Sequence, residues 1–106
     1  MPKYLLEGSY TAEGAKGLAK EGGSSRQKTV EDLVKSMGGN VESFYYSFGA
    51  ADVYLIVDVP DAATALALSM AVNQSGAVVL KSNVLVSIEE MDQAARKSPN
   101  YRAPGK

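Results

Sequence analysis

Two short segments contain the residue types that could support binding or catalysis. The first is Gly22-Gly23-Ser24-Ser25-Arg26. Backbone N–H groups at a helix start, the hydroxyls of Ser24 and Ser25, and the Arg26 guanidinium would there converge on an anion such as a carboxylate or phosphate. A plain helix break with its cap explains the same residues. The segment has neither a Walker motif nor a dinucleotide fingerprint, so it gives no support to nucleotide binding.

The second segment places the carboxylate of Asp52 just after a turn at Gly49. At the mouth of a cavity near Tyr54, this carboxylate could act as a general base. Alternatively, it accepts hydrogen bonds from turn amides and fixes a hairpin, as Asp often does beside Gly. The candidate ligand-binding residues are therefore Arg26, Ser24, Ser25 and Tyr54, and the candidate catalytic residue is Asp52.

Aromatic and charged residues along the predicted strands allow further alternatives. Tyrosines that line a cleft would suit a flat apolar ligand, but packing in a core or an interface explains them equally well. Glu7 and Lys81 could lie on neighbouring strands, where an interface salt bridge is a simpler expectation than a catalytic ion pair. The aromatic residues of the elements are Tyr4, Tyr10, Phe44, Tyr45, Tyr46, Phe48 and Tyr54.

Composition excludes several classes of protein. A chain of 106 residues is one domain by the usual size prior. Its formal net charge of −1 gives no field that would attract nucleic acid or an anionic membrane. Histidine and cysteine are both absent, so the commonest acid/base group, thiolate nucleophiles and the preferred transition-metal ligands are missing. We therefore expect no cofactor, no metal, no nucleic-acid partner and no membrane partner.

The N-terminal segment MPKYLLEGSY has no apolar run long enough for a signal peptide or a membrane span. This favours a cytoplasmic location, and we expect a bacterial protein.

The apolar pattern predicts six elements, a possible extra helix and a tail. A strand covers residues 3–10 and is followed by a helix that Thr11 caps. This helix pauses at Gly22 and restarts with a capping box over residues 24–27. A hairpin over residues 41–59 turns tightly at Gly49, where we expect a positive backbone φ. The remaining elements are a helix over 62–73 that Asp61 caps, a strand over 77–88, a short helix over 89–97 and a tail over 98–106.

The order strand, helix, strand, strand, helix, strand predicts an α+β fold, the ferredoxin-like βαββαβ sandwich with a four-stranded antiparallel sheet. The first and third strands would be central, with both helices on one face, toward which Val53, Leu55, Val57 and Val59 would point. The other face would be too apolar for water yet contain charges, which suits the sheet-on-sheet interface of a dimeric α/β barrel. We expect a domain over residues 1–97, a flexible tail over 98–106, and a homodimer or higher oligomer.

Several spaced motifs carry a family resemblance. They are GSYTAEG at 8–14, EGGSSR at 21–26, GG at 38–39, FYYSFGAADV at 44–53 and VPD at 59–61. Together they resemble the small bacterial GYD-domain family from Tyr4 to about Glu90. The Gly-x-Tyr-Asp signature falls on residues 49–52, with Ala51 in place of the tyrosine, so a role for that ring does not carry over. The resemblance implies a ferredoxin-like, dimeric α/β-barrel fold and self-association, and it implies no activity.

Two functions follow from these observations. The first is a homo-oligomeric small-molecule-binding or interaction module, with a small anionic or aromatic ligand. The alternative is a cofactor-free enzyme acting on a small aromatic or carboxylated compound in a cleft between sheet and helices. Arg26 would then hold the anion and Asp52 would be the base, so a closed cavity that contains both would favour the enzyme.

Overall fold

The computed structural model describes all 106 residues, Met1 to Lys106. Its elements, in chain order, are β1 (Lys3–Tyr10), α1 (Ala12–Glu21), α2 (Gly23–Ser36), β2 (Asn40–Tyr46), β3 (Val53–Asp58), α3 (Ala62–Gln74), β4 (Val78–Leu85) and α4 (Ile88–Arg96). This order confirms the predicted α+β fold, with the first helix divided in two and a helix added at the C-terminal end. None of the helices is both long enough and apolar enough to cross a membrane.

The four strands form one antiparallel sheet in the order β2-β3-β1-β4. The first and third strands are therefore central, as the ferredoxin-like topology requires. In the register, Leu6 lies opposite Leu55 on β3, and Glu7 lies opposite Lys81 on β4. A bulge between Val41 and Ser43 interrupts the pairing of β2 with β3.

The core lies between the helices and one face of the sheet. The alternating residues of β3 and its extension, Val53, Leu55, Val57 and Val59, are all buried, as their spacing predicted. They pack with Leu6 of β1, Val34 of α2, and Ala65 and Leu68 of α3. No helix packs on the opposite face of the sheet, which we name the open face.

Glycine sets the joint between α1 and α2. Gly22 has φ 90° and ψ 155°, a conformation that side chains rarely adopt, and it serves as the C-cap of α1 and the N-cap of α2. The break at Gly22 was predicted correctly, but the predicted capping box over residues 24–27 was wrong. Helix α2 already begins at Gly23 without a side-chain cap, because the chain changes direction within a single residue.

The turn between β2 and β3 also differs from the prediction. The loop covers residues 47–52 and closes with the Ser47 amide donating to the Asp52 carbonyl at 2.8 Å. Gly49 has no positive φ, and a Cβ added there would approach only the Ser47 hydroxyl, at 3.6 Å. The expected tight reversal at Gly49 was therefore wrong, because the longer loop distributes the change of direction over several residues.

The end of the last strand was predicted three residues too late. Ser87 begins a capping box with Glu90 and starts α4, so β4 ends at Leu85 and not at residue 88. Thr11 and Asp61 cap α1 and α3 as predicted, since each side chain accepts a hydrogen bond from the amide three residues further on. Every residue of α4 and of the segment that follows it is exposed.

Candidate functional site

Arg26 lies near the start of α2 and is half-buried. The chain has three ion pairs, and none of them involves Arg26. Arginine is seldom withdrawn from water without a partner. A half-buried guanidinium with no carboxylate within ion-pair distance is therefore the first feature of this structure that suggests a binding site.

An apolar cavity of about 70 Å³ lies beside Arg26, between the sheet and the helices. The sheet contributes most of its wall, and α2 and α3 close it. We name this space the inner cavity. Its lining residues are Leu6, Tyr10, Arg26, Thr29, Val30, Leu33, Phe44, Val53, Leu55, Val72, Val78 and Leu80. Arg26 is the one charged residue among them.

A second space of about 220 Å³ adjoins the inner cavity, since Tyr10, Arg26 and Val78 line both. It lies between α1, the start of α2 and the start of β4, and we name it the outer cleft. Its other lining residues are Glu13, Gly14, Gly17, Leu18, Glu21, Ser75 and Ala77. The inner cavity and the outer cleft together form the Arg26 cleft, which combines an apolar interior with a charged entrance.

The charge of this guanidinium affects the pKa of two tyrosines. Burial raises the pKa of Tyr10 above its ordinary value, and nearby Tyr46, Asp52 and Glu21 raise it further while Arg26 opposes them. Burial likewise raises the pKa of Tyr46, with Arg26 lowering it and Glu21 raising it. Both phenols are therefore protonated at neutral pH. Tyr46 donates its hydroxyl proton to the Gly23 carbonyl at 2.9 Å, whereas the Tyr10 hydroxyl has no hydrogen-bond partner within the chain.

The two candidate serines lie outside the Arg26 cleft. Ser24 and Ser25 are exposed and line neither the inner cavity nor the outer cleft. Ser25 Oγ donates to Glu21 Oε1 at 3.2 Å, across the joint between α1 and α2. The structure therefore does not bring these hydroxyls together with the Arg26 guanidinium around a shared cavity.

Asp52 connects the β2–β3 hairpin to β1. Its Oδ2 accepts a hydrogen bond from the Tyr10 amide at 2.8 Å, and its own amide donates to the Gly8 carbonyl at 2.8 Å. The carboxylate thus fixes the hairpin, although its partner is the end of β1 and not a turn amide. Asp52 lines neither part of the Arg26 cleft, so no cavity contains both candidate residues of the enzyme alternative.

Tyr54 lies on the open face, on the other side of the sheet from Arg26. Its neighbours in β3, Val53 and Leu55, line the inner cavity, and side chains alternate along a strand. In the register, Tyr54 lies opposite Glu7 and Tyr45. Tyr54 and Arg26 therefore cannot contact one small ligand in the Arg26 cleft.

Most charged side chains of the open face bond to one another, and Lys81 is the exception. Lys3 Nζ donates to Asp58 Oδ1 at 2.7 Å and to Glu42 Oε2 at 2.9 Å. These contacts raise the pKa of Lys3, chiefly through the hydrogen bond with Asp58, and the same bond lowers the pKa of Asp58. Glu7 accepts a hydrogen bond from Asn83 Nδ2 at 2.7 Å and forms no ion pair with Lys81 within the chain.

A larger cleft of about 530 Å³ lies at the opposite end of the sheet, between the N-terminus, the end of β4 and the start of α4. Lys3, a cation in its lining, is already bonded to Asp58 and Glu42. Glu90, its one acid, belongs to the capping box of α4. Both of these charged side chains are committed to the fold, and no three acidic side chains of the protein come together as a metal-binding group. The Arg26 cleft is therefore the better candidate site.

Gly17 and Glu21 of this cleft were not selected from the sequence, whereas Tyr10 was one of the aromatic residues that could line a cleft. Gly17 gave a usable signal, because glycine is unfavourable in a helix interior and therefore needs an explanation. Glu21 gave no such signal, since it is one acid at the end of a helix.

Comparison with protein-family models matches residues 4–95 to the GYD domain. Neither the curated proteins nor the solved structures contain a match to this chain.

Proposed function

The chain belongs to the GYD-domain family, and from this premise we propose that it is a homo-oligomeric small-molecule-binding module. Its ligand has an anionic group and an apolar part and binds in the Arg26 cleft. The observation that carries this proposal is the unpaired, half-buried Arg26 at the boundary between an apolar cavity and a charged entrance. Apolar pockets with a few convergent polar groups are the usual form of small-molecule sites.

The experiment is a titration with the carboxylate 4-methylpentanoate, followed through the amide chemical shifts. We expect saturable shifts at Tyr10, Arg26 and Val78, because these residues line both parts of the cleft. Arg26→Ala should abolish them with the fold and the oligomer unchanged. Lys28→Gln is the matched control, since Lys28 lies on the same helix, is exposed and pairs only with Asp32. Arg26→Ala with undiminished binding, or with a lost oligomer or fold, would refute the role of Arg26 in the ligand site.

Self-association is the second part of this proposal, and the open face supports it. The central strands place Leu5 beside Ile56 on this face, and Tyr54 lies beside Tyr45, of which 72% is exposed. Leu85 and Val79 extend the same face on β4. Among the polar residues of this face, Lys3 is bonded to Glu42 and Asp58, and Glu7 to Asn83, whereas Lys81 has no partner within the chain. A face of this composition, left in water, would be an unusually large apolar patch for a monomer.

Light scattering tests the self-association. We expect a mass of at least two chains at micromolar concentration and a mass of one chain for Ile56→Asp, which places a charge at the centre of the open face. Leu66→Asp is the control, because Leu66 is 63% exposed on α3, on the helix side of the sheet. A mass of one chain for the unsubstituted protein would refute the assembly.

A further inference from the structure

The charges that line the outer cleft do not favour a ligand whose only charged group is an anion. Its lining contains the carboxylates of Glu13 and Glu21 and the single guanidinium of Arg26. The charges of Glu21 and Arg26 both affect the pKa of Tyr10 and that of Tyr46, yet the two residues form no ion pair with each other. A ligand with only a negative charge would satisfy Arg26 and be repelled by Glu21, and a ligand with only a positive charge would face the reverse.

The two glutamates differ in their distance from Arg26. Glu13 and Glu21 lie at opposite ends of α1, about 12 Å apart along the helix axis at 1.5 Å per residue. Glu21 ends α1, one residue before the joint that begins α2, and its Oε1 accepts the Ser25 hydroxyl there. Glu21 is thus the acid that can contact the same small group as Arg26.

The volume of the inner cavity limits the size of the ligand's apolar part. An apolar cavity of about 150 Å³ binds benzene, and the inner cavity has about 70 Å³. This volume accommodates a short branched aliphatic chain and is too small for an aromatic ring. The walls that such a chain would contact are side chains of Leu6, Phe44, Leu55 and Leu80.

Gly17 supplies an independent indication that the outer cleft is kept open. A Cβ added at Gly14 would lie 1.9 Å from the Ala77 carbonyl oxygen, so close packing of α1 explains that glycine. A Cβ added at Gly17 would meet no atom within 4 Å, and Gly17 lines the outer cleft. Glycine is less favourable than alanine in a helix interior. Nothing within the chain requires a glycine here, whereas a ligand in the cleft would.

We propose that the Arg26 cleft binds a free α-amino acid with a short branched aliphatic side chain. This inference rests on the proposed function and specifies its ligand. The α-carboxylate pairs with the Arg26 guanidinium, which suits carboxylate geometry. The α-ammonium pairs with the Glu21 carboxylate, and the neutral Tyr10 hydroxyl is free to bond either group. The side chain enters the inner cavity. Three contacts in different directions from one carbon atom make the site stereoselective.

The test compares four compounds by isothermal titration calorimetry: L-leucine, D-leucine, 4-methylpentanoate and 3-methylbutylamine. The last two are leucine without its ammonium group and leucine without its carboxylate. We expect L-leucine to bind at least tenfold more tightly than 4-methylpentanoate, at least fivefold more tightly than D-leucine, and far more tightly than the amine.

Two substitutions complete the test. Glu21→Gln should weaken L-leucine binding about tenfold and leave 4-methylpentanoate binding unchanged or tighter, because only leucine has the ammonium group. Gly17→Leu should reduce the binding of both compounds at least tenfold by filling the outer cleft. Glu89→Gln, an exposed acid on α4, should change neither. A thermal melt of each variant separates lost binding from lost folding.

The outcomes distinguish this inference from the proposed function. If 4-methylpentanoate binds as tightly as L-leucine and Arg26→Ala abolishes its binding, the amino-acid inference is overturned and the proposed function stands. Equal binding of the two enantiomers, or undiminished leucine binding in Glu21→Gln, also overturns the inference. If none of the four compounds binds, the proposed function is refuted with it.

Discussion

Gly14 and Gly17 lie three residues apart on α1, and the structure predicts opposite effects for their replacement by alanine. A Cβ at position 14 would lie 1.9 Å from the Ala77 carbonyl oxygen. That oxygen accepts hydrogen bonds from the Thr11 amide at 2.9 Å and from the Thr11 hydroxyl at 3.2 Å. A Cβ at position 17 would meet no atom within 4 Å. The two substitutions therefore make the same chemical change in different surroundings.

The size of each effect follows from two contributions. Alanine is more favourable than glycine in a helix interior by roughly 0.5–1 kcal/mol, so Gly17→Ala should stabilise the protein by about that amount. Gly14→Ala makes the same gain, but Cβ contacts under 3.0 Å essentially do not occur, so α1 must move by about 1 Å. Overpacking of this kind costs about 1–3 kcal/mol, and weakened Thr11 bonds add about 1 kcal/mol. Gly14→Ala should therefore destabilise by roughly 1–3 kcal/mol.

Urea denaturation followed by circular dichroism at 222 nm measures both free energies of unfolding. The protein concentration must be the same throughout, because self-association would shift the apparent stability. A Gly14→Ala protein as stable as the unsubstituted one would show that α1 does not approach β4 as described. A destabilised Gly17→Ala protein would show that the outer cleft is occupied by part of the chain, and the argument from Gly17 would then be lost.

Two further predictions concern Asp52 and Asp58. Asp52→Ala removes the acceptor of the Tyr10 amide and should destabilise the protein by about 1–3 kcal/mol. Asp52→Asn keeps a side-chain oxygen and should retain most of the stability. Equal melting temperatures for the two variants would contradict this. The hydrogen bond from Lys3 lowers the pKa of Asp58 in the folded protein. The bond therefore contributes fully to the free energy of unfolding above the ordinary Asp pKa of about 3.9, and this contribution is lost as the pH falls through the lowered pKa of the folded state. In Asp58→Asn the melting temperature should therefore fall less steeply with pH below about pH 4 than in the unsubstituted protein. The same pH dependence of the melting temperature in both proteins would refute this account.

The sheet could be predicted because its signals are local. Alternating apolar residues in β3 identified the buried side, and Val53, Leu55 and Val57 are indeed buried. The number and order of the strands then left a single standard topology with β1 and β3 in the centre, which the observed sheet order confirms. The caps at Thr11 and Asp61 were likewise predictable, since each bond spans three residues.

The predictions of the turns were wrong where the conformation depends on the backbone angle of a single residue. At Gly22 the break was visible, but a φ of 90° at one residue replaced the expected side-chain cap. At Gly49 a positive φ was predicted, but the structure has none. The sequence does not distinguish a tight turn from a longer loop. A glycine permits an unusual angle without requiring it.

The Arg26 cleft could be predicted only in part. Arg26 was a candidate from the start, but its surroundings come from the ends of β1 and α1 and from the start of β4. Their approach depends on Gly14 against Ala77, a contact between residues more than sixty positions apart. Tyr54, by contrast, was grouped with Arg26 although the alternation along β3 places it on the other face.

This separation by the sheet makes the two proposals independent. Ile56 lies on the open face, and its neighbour Leu55 lines the inner cavity, so Ile56→Asp alters the proposed interface without replacing any residue of the Arg26 cleft. Arg26→Ala and Glu21→Gln act on the helix side and alter no residue of the open face. Effects of substitutions at separate sites without shared partners are usually additive. Loss of the oligomer in a cleft variant would therefore be evidence against this description of the sheet, and not only against one of the proposals.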